Sequence, residues 1–292
     1  MWAQQPRFAD GLGPFSRVAQ GAGYVGIEVS HLTDLAGFES LVEQSVLPVR
    51  SLHAPTPRPA GAAGGLNLAA TDEDERAAAV ASTVRTMEYA VRVGARFVVV
   101  HLGHIGQPLQ EEDRLRRLFE DGQVESDEAR ATRDQAHRRR RELVNPHLTA
   151  ARRSLAELAE AASEREVAVG LENRLGFREI PSPEETVLLL ADYPPALVGY
   201  WHDTGHLEVQ GRLGLLDRQE ALDSLAPRIL GTHLHDVQGL RDHRAPGNGE
   251  TDWAYIARAL PPAALRTLEI GGDEPETSIQ GAIGFLGRRG IL

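Results

Sequence analysis

The architecture of this chain is set by Leu197-Val198-Gly199-Tyr200-Trp201-His202-Asp203-Thr204-Gly205-His206. An apolar run typical of a buried strand ends here in a carboxylate and an imidazole, Asp203 and His206. One oxygen and one nitrogen ligand where a strand meets a loop suit a divalent cation of intermediate hardness, such as Zn, Mn or Co. Buried Asp and His residues often serve only as hydrogen-bond partners, so the weight of this pattern depends on its recurrence along the chain.

Strand-like runs and helical patterns alternate along the whole sequence. The strand-like runs cover residues 24–29, 49–53, 96–101, 167–173, 197–203, 229–235 and 265–270. Strict alternation predicts a parallel sheet with crossover helices. At 292 residues it predicts an α/β fold, a (β/α)8 TIM barrel formed as a single domain over residues 1–292, with its first strand short or missing.

The missing first strand has two explanations. Either residues 2–8 supply it irregularly, or the chain begins later than its relatives do. A doubly wound open sheet is the alternative fold, but no G-x-G-x-x-G motif follows an early strand.

The composition excludes several classes of function. There are 0 cysteines, which excludes disulfides, thiolate metal sites and a cysteine nucleophile. All 31 basic residues are arginine, so Schiff-base lysines and lysine-dependent phosphate loops are also excluded. The net charge of −11 works against broad attraction to nucleic acid, so we expect a small-molecule partner instead.

The sequence also bounds the location of the protein. No apolar run approaches the ~18 residues of a membrane span, and no signal pattern opens the chain. We therefore expect a cytoplasmic protein without a membrane partner. Aromatic residues are sparse, at 5%, and the sequence predicts no particular oligomeric state.

Every strand-like run ends in a residue that can bind a metal or move a proton. These residues are Glu28, His53, His101, Glu172, Asp203, His233 with His235, and Glu269. In a parallel barrel all carboxyl ends of the strands lie on one face, where active sites are found. His233 and His235 are two residues apart, so both can point into the barrel. The pattern predicts a metal-centred catalytic mouth.

Four of these residues form a plausible ligand set, namely Glu172, Asp203, His233 and Glu269. Three oxygen ligands and one nitrogen suit Mn, Mg, Co or Zn. The ion would act as a Lewis acid on a carbonyl or alkoxide. Glu172 and Glu269 come from strands roughly opposite one another and could move a proton as general base and acid.

Further residues are candidates for binding substrate. Arg178, Arg212 and Arg244 could each hold a carboxylate or phosphate by bidentate contact, the alternative being a surface ion pair. Trp201 could line the mouth or pack in the core. The loop 55–70, rich in Pro, Gly and Ala, is long for a compact domain and is a candidate lid.

Eight short motifs occur in a specific order and spacing. They are Gly26-Ile27-Glu28, Leu52-His53, Val99-Val100-His101-Leu102-Gly103, Leu171-Glu172-Asn173, His202-Asp203-Thr204-Gly205-His206, His233-Leu234-His235-Asp236, Pro246-Gly247-Asn248-Gly249 with Asp252-Trp253, and Leu268-Glu269. On these residues the chain resembles the xylose isomerase-like TIM-barrel superfamily over about residues 20–270. This superfamily includes the sugar-phosphate isomerases and epimerases and the related endonuclease IV family.

The isomerase and epimerase branch implies a single divalent metal. Its ligands would be Glu172, Asp203, His233 or His235, and Glu269. The two glutamates would be the acid and base on the two faces of the substrate, and His206 would touch the substrate. The chain departs from close relatives in that branch, because Arg178 stands where ketose 3-epimerases carry a substrate-binding Glu. It also lacks the lysine of xylose isomerases proper.

The endonuclease IV branch implies a three-zinc site. The positions that match its ligands are His53, His101, Glu172, Asp203, His206, His233, His243 and Glu269. The remaining ligand there is an Asp two residues before His243, and this chain has Arg241 at that position with Asp242 beside it. We expect an arginine at this position to repel a third cation.

The sequence therefore supports three hypotheses from different classes. The first is a divalent-metal-dependent isomerase or epimerase of a small sugar or sugar-like polyhydroxy compound, with a lyase or dehydratase as a chemical neighbour. The second is an endonuclease IV-like zinc phosphodiesterase acting on abasic DNA, favoured by His53, His101 and His243 and opposed by the acidic charge. The third is a barrel that binds a metal or sugar acid without turnover.

Overall fold

Seven parallel strands form the central sheet of the protein. A computed structural model describes residues 2–8, 12–59 and 66–292. The strands are β1 (Ile27–Val29), β2 (Val49–His53), β3 (Phe97–Val100), β5 (Ala168–Glu172), β7 (Val198–Asp203), β8 (Ile229–Leu234) and β11 (Leu265–Leu268). They are adjacent in this order, and each neighbouring pair is parallel. The nearly closed sheet confirms the predicted (β/α)8 architecture.

Ten α-helices surround the sheet in the described ranges. They are α1 (Leu12–Gly21), α2 (Leu35–Gln44), α3 (Glu73–Val93), α4 (Gln110–Glu120), α5 (Asp127–Glu164), α6 (Pro183–Leu190), α7 (Thr204–Arg212), α8 (Arg218–Leu225), α9 (Trp253–Ala259) and α10 (Glu276–Gly287). None of them combines the length and the apolar character that a membrane crossing requires. The carboxylate of Asp203 caps α7 by accepting a hydrogen bond from the His206 backbone N–H, which ties the end of β7 to the helix that follows.

The barrel interior is filled below the mouth by Trp201. This side chain is fully buried. It has the same parity along β7 as Asp203, so both point inward. Glycines on the two neighbouring strands make room for the indole, because a Cβ on Gly231 or Gly170 would lie 2.3 Å or 2.6 Å from its ring atoms. Tight packing at this level leaves the polar residues above it as the floor of the mouth.

Two short antiparallel ladders stand above the carboxyl ends of the strands. The first pairs β4 (Gly103–His104) with β6 (Glu179–Ile180), and the second pairs β9 (Asp236–Gln238) with β10 (Arg241–Arg244). Neither ladder was predicted from the sequence.

Residues 2–8 form two 3-10 turns, Trp2–Gln4 and Pro6–Phe8, so the suggestion that they supply an irregular first strand is wrong. Their aromatic side chains pack edge-on against one another, with ring centroids of Trp2 and Phe8 6.5 Å apart. In the described part of the chain β1 and β11 do not pair with each other. A cavity of about 620 Å³ lies between them and extends to Glu28, His53 and Glu269.

Candidate metal centre and active site

Glu172, at the end of β5, lies at the centre of the mouth, which is the face formed by the carboxyl ends of the strands. One of its oxygens, Oε2, lies 3.0 Å from His53 Nε2 and 2.7 Å from His101 Nε2. The other, Oε1, lies 3.2 Å from His233 Nδ1 and 3.4 Å from His206 Nδ1. Its side chain is 1% exposed. Glu172 therefore belongs to two groups of potential metal ligands.

The central group consists of Glu172, Asp203, His233 and Glu269, whose ligand atoms all lie within 4.8 Å of one another. His233 Nδ1 lies 3.2 Å from a carboxylate oxygen of each glutamate, without the alignment of a hydrogen bond to any described residue. Its Nε2 lies 2.6 Å from Glu28 Oε1. A carboxylate partner on one ring nitrogen orients the other for a metal, so these residues fit a divalent cation.

His235 has a different place from His233. Its Nδ1 accepts a hydrogen bond from the His243 backbone N–H, so its Nε2 carries the proton and donates to Asp203 Oδ2 at 2.9 Å. His235 therefore orients the Asp203 carboxylate, although its ring also lies within ligand distance of His243 and Glu269. Hydrogen bonding favours His233 over His235 as the nitrogen ligand of the central group.

A second group lies on one flank and contains His53, His101 and Glu172. His53 Nδ1 donates to the carbonyl of Ala54 at 3.0 Å, so its Nε2 presents a lone pair to the group. That Nε2 is 2.9 Å from His101 Nε2. A proton on His101 Nε2, or a cation, would lie between these two nitrogens. Burial lowers the pKa of His101, which disfavours its doubly protonated form and leaves one ring proton that either nitrogen can carry.

A third group lies on the opposite flank and contains His206, Asp242 and His243. His206 Nδ1 donates to the Asn173 carbonyl at 3.0 Å, which leaves its Nε2 as the ligand atom. The Arg241 side chain is mostly exposed and pairs with Asp273. His243 has a φ of 55°, and Asp242 joins the group in this turn. The Arg241 charge is thus paired with Asp273, while the neighbouring Asp242 belongs to the third group.

The charges of the mouth are balanced by neighbouring residues. Burial raises the pKa of Glu172, but the His101 and His233 charges outweigh it and hold this pKa well below its usual range. Burial likewise lowers the pKa of His233, but Glu28, Glu269 and Glu172 raise it well above its ordinary value. A cation at the central group would balance the same carboxylates as the His233 charge does.

Some residues of the mouth were missed by the sequence analysis. Asn173 accepts hydrogen bonds from the Asp203 backbone N–H at 2.7 Å and from the Tyr200 hydroxyl at 2.8 Å, so it fixes the end of β7. His31 packs against His53 with its ring tilted, and the ring centroids are 4.6 Å apart. Arg174 lies two residues after Glu172 and pairs with Glu179. Asn173 stood within a quoted motif, whereas neither His31 nor Arg174 belongs to a pattern in the sequence.

The predicted substrate-binding residues lie in different environments. Trp201 is buried under the mouth rather than lining it. Arg244 pairs with Glu274 and also donates to Gln238 Oε1 at 2.9 Å. Arg178 is half-buried near His104, and after burial its charge is the next cause that lowers the His104 pKa. Residues 60–65 of the predicted lid lie outside the described residues.

A known protein family matches most of the chain. The family described as xylose isomerase-like TIM barrel matches residues 17–288. The chain belongs to this family. The resemblance inferred from the eight motifs is thereby confirmed. No curated protein sequence matches the chain.

Solved structures of the same fold include several sugar epimerases. A D-tagatose 3-epimerase-like protein is 18% identical with a TM-score of 0.66, over 91% of this chain and 88% of that chain. The 3-keto-D-glucoside 4-epimerase YcjR from E. coli is 14% identical with a TM-score of 0.66, over 98% and 97%. The IolI protein with a bound zinc atom is 16% identical with a TM-score of 0.64, over 96% and 91%. At these identities the likeness establishes the shared fold.

Proposed function

We propose that the protein is a divalent-metal-dependent isomerase or epimerase of a small sugar or sugar-like polyhydroxy compound. The observation that carries this proposal is the position of Glu172 and Glu269, each with an oxygen 3.2 Å from His233 Nδ1. Their strands, β5 and β11, are three positions apart in the sheet, so the two carboxylates approach the centre from different sides. The sugar epimerases among the similar structures support the same hypothesis.

The four residues of the central group would hold the cation. When bound, a divalent ion supplies a Lewis acid that polarises a substrate oxygen, and Mn, Mg, Co or Zn would each suit the donor set. One glutamate removes a proton from a carbon next to the carbonyl, and the other returns a proton to the opposite face or to the neighbouring carbon. The Glu269 side chain is 19% exposed and Glu172 only 1%, so Glu269 is the one that exchanges protons with water.

The test is exchange of carbon-bound hydrogen with solvent. A panel of ketoses and aldoses is incubated with the metal-loaded protein in D2O, and loss of each C–H signal is followed by NMR. We expect exchange at one carbon of the true substrate, and its loss in Glu172→Gln and Glu269→Gln. Either variant that retains exchange would remove that residue from the acid and base pair. Binding of a sugar without any exchange would favour the non-catalytic barrel.

A second candidate, a zinc phosphodiesterase, is favoured by one specific observation. Four overlapping groups of potential ligands lie in the mouth, and Asp242 supplies a carboxylate to one of them. Two or three tightly held zinc ions per chain, with cleavage of an abasic oligonucleotide, would favour this candidate. A single exchangeable ion and no cleavage would favour the epimerase. The net charge of −11 argues against a nucleic-acid partner, and we propose a cytoplasmic small-molecule enzyme.

A further inference from the structure

The gap between the edge strands β1 and β11 continues from the mouth. In the described ranges each of these strands has a strand neighbour on one side only. The cavity in the gap has a volume of about 620 Å³, and Glu28, His53 and Glu269 line one part of it. Sites for small organic ligands commonly have volumes of about 300–1,000 Å³. Because Glu269 also belongs to the central group, a molecule bound at that group can extend into the gap.

Another part of the cavity has an aromatic wall. Its residues are Trp2, Phe8, Phe15 and Tyr24. Aromatic residues make up only 5% of the chain, so four of them in one wall are a concentration. The ring centroid of Trp2 lies 5.3 Å from that of Phe15 and 5.6 Å from that of Tyr24. Rings arranged in this way pack edge-to-face or offset against further rings.

Several apolar side chains of this cavity are exposed. Val25 is 77% exposed, Leu32 41% and Leu292 50%, and all three line the cavity. They are three of the nine exposed large apolar side chains in the described ranges. Exposed apolar side chains that share one surface mark a binding site, whereas scattered ones need no explanation. The cavity therefore has the character of a site for an apolar group.

Residues 2–8 span the gap without pairing with its strands. Trp2 packs on Tyr24, which precedes β1, and Gln5 donates to the Gly272 carbonyl, which follows β11, at 3.0 Å. The segment forms two 3-10 turns and adds no strand to the sheet. A group can therefore enter the cavity from the mouth without displacing this segment. An occupant that comes from the mouth also uses the polar part of the cavity, which a purely apolar partner would leave unused.

We propose that this cavity binds an apolar substituent of the substrate, preferably an aromatic ring, while the polyhydroxy part lies at the central group. The inference rests on the proposed function and deepens it, because it makes the substrate a carbonyl-containing polyhydroxy compound that carries such a ring. Carboxylates in one part of the cavity and aromatic rings in another match a molecule with a polar and an apolar end. Burial of the substituent supplies binding energy away from the reacting carbons, and that energy orients them.

Matched pairs of glycosides test the proposal by binding alone. Phenyl and methyl β-D-glucosides and β-D-galactosides are titrated by calorimetry into the protein as purified with its metal. These glycosides lack a carbonyl, so they are ligands and not substrates. We expect at least one phenyl glycoside to bind about tenfold more tightly than its methyl counterpart, because the cavity removes the ring from water.

Ile283→Phe tests the location of the site. Ile283 lies on α10 and lines the cavity, so a larger ring there fills part of the space, and the preference for phenyl over methyl should fall to within about twofold. The matched control is Gln280→Phe, which places the same side chain at an exposed position of the same helix and should keep the preference. Leu32→Ser is the second variant. Its side chain is 41% exposed, so the fold tolerates the change, and phenyl glycoside binding should weaken about threefold.

Three results would overturn the proposal: no phenyl glycoside that binds more tightly than its methyl counterpart, an unchanged preference in a folded Ile283→Phe, or self-association of the wild type that Ile283→Phe abolishes. The last result would show that a second copy covers the cavity. Where Ile283→Phe does not fold, unchanged phenyl glycoside binding in Leu32→Ser overturns the proposal instead.

These outcomes are separate from the fate of the proposed function. Hydrogen exchange in D2O without a preference for phenyl glycosides would contradict only the apolar subsite. A preference that Ile283→Phe removes, with no exchange on any sugar, would contradict the epimerase alone.

Discussion

At the scale of single residues, the properties of the mouth depend on which nitrogen of each histidine carries the proton. Carbonyl acceptors hold Nδ1–H of His53 and of His206, and Glu28 accepts from Nε2 of His233. In His53 and His233 these contacts turn the other ring nitrogen towards Glu172. Second partners of this kind are as important for metal affinity as the ligands themselves.

Glu28→Gln tests the role of the second partner directly. The change keeps the size of the side chain but removes the charge that accepts from His233 Nε2 and from the Ser51 hydroxyl. Metal affinity should fall about 10- to 100-fold, measured by competition with a chelator. Glu276→Gln, at an exposed glutamate that pairs with Arg7, is the control and should have no effect. Unchanged affinity in Glu28→Gln would mean that the Glu28 charge does not support metal binding.

Metal binding should depend on pH in a definite direction. Although burial lowers the pKa of His243, contacts with Asp242 and Glu269 raise it to about 10, and the pKa of His233 is also raised. Both rings are therefore protonated at neutral pH without metal, and a cation must displace those protons. Affinity should rise with pH, by about tenfold per pH unit for each displaced proton. Calorimetry in buffers of different ionisation enthalpy measures the release, and absence of proton release would contradict this arrangement.

At the scale of elements, the β9–β10 ladder decides which residues complete the third group. In this ladder His243 has a left-handed backbone. The two residues before it, Arg241 and Asp242, lie in different environments. Arg241 contacts an exposed Asp273, while Asp242 lies 3.0 Å from His243 Nδ1. The endonuclease IV pattern has an Asp two residues before the position of His243, whereas here Asp242, one residue before His243, lies in the third group.

The third group makes its own prediction. If it binds a cation, Asp242→Asn should lower the metal content of the purified protein by about one ion per chain, because a ligand charge is lost. Arg241→Gln should leave the content unchanged. Elemental analysis of both variants, purified side by side, measures the difference. Equal metal content in Asp242→Asn and the wild type would mean that the third group is a hydrogen-bonded cluster without a cation.

At the scale of the whole molecule, the mouth is supported by the packed interior of the barrel. Trp201 fills the space between Gly170 and Gly231 and lies edge-on to His233, with ring centroids 5.7 Å apart. The site is therefore placed by core packing as well as by its own hydrogen bonds.

Gly231→Ala should destabilise the protein through this contact. The new Cβ would lie 2.3 Å from the indole, and overpacking of this kind costs about 1–3 kcal/mol in the free energy of unfolding. Gly281→Ala, in α10 where a Cβ meets nothing within 4 Å, should be neutral or stabilising by up to about 1 kcal/mol. Urea denaturation of both variants measures the contrast. Equal stability of Gly231→Ala and the wild type would show that the indole can move aside.

The amino-acid sequence by itself determined the barrel and the residues that meet at its mouth. Seven apolar runs that alternate with helices must form a parallel sheet, and a parallel sheet brings the residues at its strand ends to one face. Glu172, Asp203, His233 and Glu269 could be named for this reason, and they do converge. Residues 2–8 are not part of this alternation, and the suggestion that they form a strand was wrong.

Only the tertiary structure decided the environment of each side chain. Glu28 and His233 are separated by 205 residues, and their contact exists only because the barrel curves almost to closure. Contacts between distant segments also pair Arg244 with Glu274 and bury Trp201. Hydrogen-bond partners, tautomers and burial arise from contacts between distant segments, so no local pattern of residues encodes them.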